Sequence, residues 1–271
     1  MGCQSQVMKT LGEPLAHGRM AQIYDWDETH ILKLFRDSVG YHEAQREAQH
    51  EASISQVICA LGAPAPHPGE IIEIDARVGL LYEKIPGATM TTIVLKDASR
   101  LLPMAQLMAR LHRQIHTLSP GEKFPHLKAQ ITDRLREAYL PRELRHKAIL
   151  ALQRLPAGAA LCHGDFHTEN ILIDGPRAAI IDWPNATSGN PLADVARTSI
   201  VLLGAVHTLS NLLNKIALRW FHFSYLKAYF NNQTPPAEYY AWLPIIAAAR
   251  LDENIDGQHD FLLAEAAKLG K

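Results

Sequence analysis

Between residues 161 and 183 the chain reads L-C-H-G-D-F-H-T-E-N-I-L-I-D-G-P-R-A-A-I-I-D-W. Asn170 follows Asp165 by five positions, and Asp182 follows Asn170 by twelve. One carboxylate and two further oxygen donors at these spacings suit phosphoryl transfer. That reaction needs little covalent help from a protein; it needs an aligned hydroxyl and cations that neutralise charge on the migrating group. Asp165 would orient the acceptor hydroxyl and take its proton. Asn170 and Asp182 would supply the hard oxygens that Mg2+ prefers. Ile171–Ile173 and Ala178–Ile181, joined at Asp174-Gly175, predict a β-hairpin with these two donors at its ends.

Three upstream features would complete such a site. A strand lysine is needed for the α and β phosphates, and Lys33 in I-L-K-L-F stands in the right place. An alternating strand could equally turn Lys33 to solvent. A helix glutamate is needed to hold that lysine, and Glu43, Glu47 and Glu51 share one helical face. A glycine turn over the phosphates is needed as well. His17-Gly18-Arg19-Met20-Ala21 occupies that position. Each feature is weak alone; their order along the chain carries the weight.

The elements around them fall in two blocks. Gln22–Trp26 and Ile31–Phe35 predict an antiparallel pair, Glu43–Leu61 a helix that ends at Gly62-Ala63-Pro64, and Glu70–Ile74 with Arg77–Tyr82 a second pair. Beyond Pro86-Gly87 apolar stripes at helical spacing predict helices over Arg100–Thr117, Lys128–Tyr139 and Arg142–Leu155, and helices are expected again over Leu192–Ser210, Leu213–Tyr229, Ala237–Ala249 and near Phe261–Leu269. Strands first and helices after predict an α+β fold.

The segments H-G-D-F-H-T-E-N-I-L, I-I-D-W and G-N-P-L-A-D-V-A-R-T, supported by G-R-M-A-Q-I-Y, I-L-K-L-F, G-A-P-A-P and L-L-Y-E-K-I-P-G, make the chain resemble the aminoglycoside phosphotransferase and choline-kinase-like family. The resemblance runs from about Gly18 to Thr198. It implies a protein-kinase-like bilobal fold: a nucleotide-binding lobe over residues 1–86, with an antiparallel sheet and one helix, and a mainly helical lobe over residues 87–271 with the catalytic loop and substrate site. It implies that ATP and Mg2+ are bound and that a small-molecule hydroxyl is the acceptor. Asp165 becomes the catalytic base, Asn170 and Asp182 the metal ligands, and Lys33 the phosphate contact. Gly18 and Arg19 lie in the phosphate loop. Glu51 is picked to hold Lys33, with Glu47 second. The Glu83 carbonyl and the Ile85 N–H would read the adenine edge. His163 and His167 would brace the catalytic loop, and Asp194 would tie a helix to it. Met20, Thr168 and Asn190 stand where relatives often have Thr, Pro and Asp, and Pro184 stands where protein kinases have glycine.

Other readings are open on the residues alone. His163, Asp165 and His167 alternate as metal-hydrolase ligands could. A kinase-like module could hold a nucleotide without turnover, and a protein kinase would share the motif order, though no activation segment of that length follows Asp182. The net charge of −1 over 271 residues gives no basis for nucleic-acid or membrane binding. It divides into −5 up to Pro86 and +4 beyond, which leans away from a polycationic acceptor. Asp252, Glu253, Asp256 and Asp260 form either an exposed helix face or a cation site. Three cysteines without pairing or metal spacing, with Cys59 and Cys162 in apolar company, suit a reducing cytosol. The segment M-G-C-Q-S-Q-V-M-K-T has no secretory pattern, and Gln6 breaks the myristoylation pattern. A cytoplasmic protein is therefore expected. The residues select neither an acceptor nor an oligomeric state.

Overall fold

Residues 11–269 are described by a computed structural model. Cys3 and the N-terminal pattern lie outside them. The described residues open with β1 (Ala16–His17), β2 (Ala21–Asp25), β3 (His30–Phe35), α1 (Tyr41–Ala60), β4 (Pro68–Ile74) and β5 (Arg77–Glu83). The five strands make one antiparallel sheet in the order β1-β2-β3-β5-β4. The β2–β3 turn closes on Asp27, whose Oδ1 accepts the N–H groups of Thr29 (2.7 Å) and His30 (2.8 Å). Period-two alternation sorts β3. Leu32 and Leu34 pack with Tyr24 and Ile74 on one face, while Phe35 meets Ala44 and Ala48 of α1 on the other. Ile31 and Lys33 share the α1 face, so Lys33 is turned toward a helix and not toward solvent.

There follow β6 (Ala88–Thr89), α2 (Met90–Lys96), α3 (Leu101–His116), α4 (Leu127–Glu137), α5 (Arg142–Arg154), β7 (Ala160–Cys162), β8 (Ile171–Asp174), β9 (Arg177–Ile180), β10 (Thr187–Gly189), α6 (Pro191–Thr208), α7 (Leu212–Tyr229), α8 (Ala237–Ala249) and α9 (His259–Ala266). The fold is α+β, with the antiparallel sheet early and helices dominating the remainder. Every helix expected from periodicity is present within a few residues of its expected ends. α2 is an addition, a seven-residue helix capped by Thr89, whose Oγ accepts the Thr92 N–H at 3.2 Å. β7 and β10 are additions too, three residues each and paired antiparallel, too short to carry an alternation signal. α6 is the buried centre of the helical part, with Ala193 to Thr198 all buried. Asn190 caps it by accepting the Leu192 N–H at 2.9 Å, and Pro191 sits at its first turn.

By packing, the chain divides into two units. One runs through Gly87 and takes back Leu172–Pro184; the other holds Ala88–Ile171 and the chain from Asn185 onward. The expected single boundary at 86/87 therefore differs from the observed division, because the β8–β9 hairpin belongs with the first unit. Ile180 donates its N–H to the Pro64 carbonyl (2.6 Å), and Arg177 pairs with Glu83 (2.8 Å). Cys162 is buried and Cys59 only half-buried, and both thiols are free. No helix among the described residues is long and apolar enough to cross a membrane.

Candidate active site

In the first unit the chemistry gathers on Lys33. Its ammonium lies 2.8 Å from Glu51 Oε1 and 3.2 Å from Asp182 Oδ1. Glu51 is buried on the α1 face that meets the sheet, whereas Glu43 is exposed and Glu47 half-buried, so the pairing falls on Glu51. A buried tyrosine that the sequence reading missed completes the grip: Tyr82 donates its hydroxyl to Glu51 Oε1 at 3.0 Å and meets Ser55 at 3.0 Å. Burial works against the Lys33 charge, but the Glu51 and Asp182 carboxylates outweigh it and hold its pKa above the ordinary lysine range. Asp182 sits just past β9 with φ of 64°, a left-handed backbone that aspartate tolerates better than most residues. Its side chain is 47% exposed, which leaves carboxylate oxygen available for a cation.

The other first-unit candidates are arranged around turns. Gly18 donates its N–H to the Ala21 carbonyl (2.8 Å), and its own carbonyl accepts from the Arg36 guanidinium (3.1 Å). Arg19 and Met20 are exposed beside it. Glu83 ends β5, with its side chain held by Arg177 and by the His67 N–H (3.2 Å); Ile85, two residues on, is buried.

In the second unit the segment after β7 is a loop and not a strand, so His163, Asp165 and His167 lack the alternation that a metal-hydrolase reading requires. Asp165 is gripped from several directions. His167 Nε2 lies 3.3 Å from its Oδ2, and Arg197 Nη2 lies 3.3 Å from its Oδ1. Its N–H donates to His163 Nδ1 (3.1 Å), and its carbonyl accepts from Asn170 Nδ2 (3.0 Å). The last bond orients the Asn170 amide. Burial alone would raise the Asp165 pKa. The His167 hydrogen bond and the Arg197 charge reverse that and hold the carboxyl well below the usual carboxylate range.

The loop is fixed by one face of α6. Asp194 accepts the N–H groups of His163 (2.7 Å) and Gly164 (2.9 Å). Arg197 Nε donates to the Gly164 carbonyl, and Thr198 donates its hydroxyl to the Phe166 carbonyl (2.8 Å). Positions i, i+3 and i+4 of a helix share a face, so D-V-A-R-T places all three side chains toward the loop. That spacing was visible in the sequence, yet only Asp194 was singled out. Gly164 has φ of 77° and lies so close to the Asn185 carbonyl that a Cβ has no room.

Two histidines behind Asp194 were also missed. His112 and His116 place Nε2 at 3.1 and 3.3 Å from Asp194 Oδ2, with Tyr225 and Tyr229 hydroxyls at 2.6 and 2.7 Å from their Nδ1 atoms. A neutral His112 ring closes its part of the network, its Nε2–H donating to Asp194 and its Nδ1 accepting from Tyr225. Burial, with His116 beside it, pulls the His112 pKa down to about 3. Its folded pKa is thus below the unfolded value of about 6.5. The unfolded chain binds the extra proton between those values, so this group's contribution to stability is complete above about pH 6.5 and is lost as pH falls toward 3. Urea unfolding between pH 7.5 and 4 is expected to show that slope, and His112→Gln to flatten it. An unchanged slope in the variant would reassign the acid sensitivity to other groups.

Glu253 is neither an exposed helix residue nor a free cation site. Arg197 (2.7 Å), Arg134 (2.8 Å) and Arg250 (2.9 Å) all pair with it. Asp260 is exposed, as expected for a solvated helix face.

Lys33→Ala is expected to lower kcat/KM for ATP by about 10–100-fold, the value of one or two charge-assisted hydrogen bonds. Initial rates against ATP concentration measure it, and unchanged constants would remove Lys33 from the nucleotide site.

Comparison with solved structures gives the same fold. A thermostable mutant of aminoglycoside phosphotransferase APH(4)-Ia superposes with a TM-score of 0.64 at 15% identity, covering 96% of this chain and 94% of that one. A choline/ethanolamine kinase family protein from Mesorhizobium loti gives 0.60 at 19%, covering 98% and 89%. Amicoumacin kinase hAmiN, solved with AMP-PNP, Ca2+ and Ami, gives 0.62 at 14%, covering 95% and 87%. Among curated proteins, none matches the chain. The model of the phosphotransferase enzyme family matches residues 12–230, most of the chain and every motif from Gly18 to Thr198, and the protein belongs to that family.

Proposed function

We propose that this protein transfers the terminal phosphoryl group of ATP to a hydroxyl of a small molecule. The observation that carries the reading is the Lys33 ammonium set between Glu51 and Asp182, three charged groups far apart in sequence and brought together in one unit. Lys33 would contact the α and β phosphates, and Glu51 would keep its amine in place. Asp182 and the Asn170 carbonyl oxygen are hard donors that fit Mg2+. That ion, when bound with the nucleotide, supplies charge neutralisation on the migrating group. Asp165, held ionised between His167 and Arg197, would orient the acceptor hydroxyl and receive its proton. Gly18 and Arg19 would close over the phosphates, and the Glu83 carbonyl and Ile85 N–H would meet the adenine edge.

The acceptor we infer is neutral or acidic rather than polycationic. Glu253, the carboxylate that shares Arg197 with Asp165, is already saturated by three guanidinium groups and has no charge to offer an amine. A protein that binds nucleotide without turnover is the other reading, and an ionised, fully positioned Asp165 favours turnover over it. A coupled ADP-release screen of hydroxylated metabolites and antibiotics with purified protein and Mg2+ tests both points. Acceptor-dependent ADP release supports transfer, and nucleotide binding with no release across the panel would leave the binding module.

A further inference from the structure

α7 is apolar on two faces. Phe221, Ser224 and Tyr225 are buried on the side where it meets α3 and α6. On the opposite side Leu212, Leu213, Ile216, Trp220 and Phe223 are exposed by 69, 74, 57, 57 and 53%. These five recur at helical spacing along one sector of the helix, a stripe roughly 17 Å long. Trp220 and Phe223 are already stacked, with ring centroids 5.5 Å apart. A helix with apolar residues all round is ordinarily buried all round. Monomers seldom expose a contiguous patch of this size.

We infer that α7 is a dimerisation helix and that its occupant is the α7 of a second copy of this chain, packed antiparallel about a two-fold axis. The stripe is self-complementary in that arrangement. Its first half is aliphatic (Leu212, Leu213, Ile216) and its second half aromatic (Trp220, Phe223). An axis at Leu218 sets Ile216 against Trp220 of the second copy and Leu213 against Phe223, each pairing made twice, as an isologous interface requires. The five side chains offer roughly 600 Å2 per chain, so a symmetric pair covers about 1,200 Å2, at the lower edge of specific interfaces. Composition agrees, because interface centres favour Trp, Phe and Arg and exclude carboxylates. From Val195 to Ala237 the chain has no Asp or Glu. An anionic lipid surface fits less well. The helix face opposite the stripe is spent on the protein core, which leaves Arg219 and Lys227 exposed beside the apolar residues, short of the cluster of about four to eight basic residues that such surfaces attract.

The test is the mass of the full chain in solution, by light scattering behind gel filtration and by sedimentation equilibrium, at 50 and 500 mM salt. The expected result is a dimer that tightens with salt, since Arg219 of each copy lies near the axis and salt screens their repulsion. Trp220→Glu and Ile216→Glu are each expected to raise the dimer dissociation constant by about 100-fold or more, with unchanged circular dichroism. Tyr139→Glu, at an exposed aromatic outside α7, leaves it unchanged. A chain carrying Leu213→Cys with Phe223→Cys is expected to form an intermolecular disulfide; within one helix the two lie about 15 Å apart, too far to bridge. A monomer at 100 µM would overturn the proposal. So would a dimer that survives both glutamate variants, or a monomer that sediments with phosphatidylglycerol vesicles and not with phosphatidylcholine ones. None of these outcomes depends on the transfer reaction, so they are separable from the acceptor screen.

Discussion

Asp165→Asn is expected to cut turnover by about 10²–10⁴-fold, the span that a positioned general base contributes, while nucleotide affinity stays within about threefold. The substitution is nearly isosteric and keeps an acceptor oxygen for Arg197 or His167. Its main chemical effect is to remove the proton acceptor. Arg197 does not become an orphan charge, because Glu253 lies 2.7 Å from the same nitrogen. The loop backbone remains held by Asp194 and Thr198, so a general collapse of the site is not expected. Single-turnover ADP release, together with calorimetric titration of the nucleotide, separates chemistry from binding. Turnover within tenfold of the parent would mean that Asp165 is not the base. Unimpaired cellular activity in the variant would favour the module that binds without transferring.

Asp182→Ala is expected to abolish Mg2+-dependent turnover, with a loss on the order of 10³-fold or greater, since metal-borne charge neutralisation is worth several kcal/mol at the transition state. Two effects are mixed in that variant. Alanine loses the oxygen donor, and it must also adopt the left-handed backbone of position 182, at a cost of about 1–2 kcal/mol. Asp182→Asn separates them, because asparagine tolerates that backbone and keeps one oxygen. If the charge matters, Asn fails almost as badly as Ala in turnover but unfolds at the parent temperature. Lys33 retains Glu51 at 2.8 Å in both variants, so its ammonium stays paired. Full activity of Asp182→Ala over a Mg2+ titration would remove this residue as a ligand.

What could be read from the sequence follows the range of the interactions involved. Helices such as α3 and α4 were visible because their apolar periodicity is local. The order of strands before helices gave the α+β class for the same reason. Lys33 was ambiguous because alternation tells which residues share a strand face but not which face meets a helix; the packing of Phe35 on Ala44 and Ala48 decides it. The return of the β8–β9 hairpin to the first unit was not legible, since it depends on contacts such as Ile180 with Pro64, more than a hundred residues apart. His112, His116 and Tyr82 were missed because each sits in an unremarkable apolar stretch and acquires its partner only through tertiary packing. Glu253 was misread for a related reason: its neighbours in sequence are acidic, while its neighbours in space are arginines.

The clamp that α6 places on residues 163–166 has a consequence for how such a chain can diverge. Asp194, Arg197 and Thr198 hold main-chain N–H and carbonyl groups, which every amino acid presents alike. Phe166 can be exchanged without loosening the clamp, provided position 164 stays a glycine, His163 keeps its bond to the Asp165 N–H and the helix keeps its three grips. Mutational tolerance should therefore be lopsided: permissive at Phe166 for any residue of similar bulk, and strict at Asp194, Arg197 and Thr198. What the helix fixes in this chain is a set of anchor points on the peptide backbone.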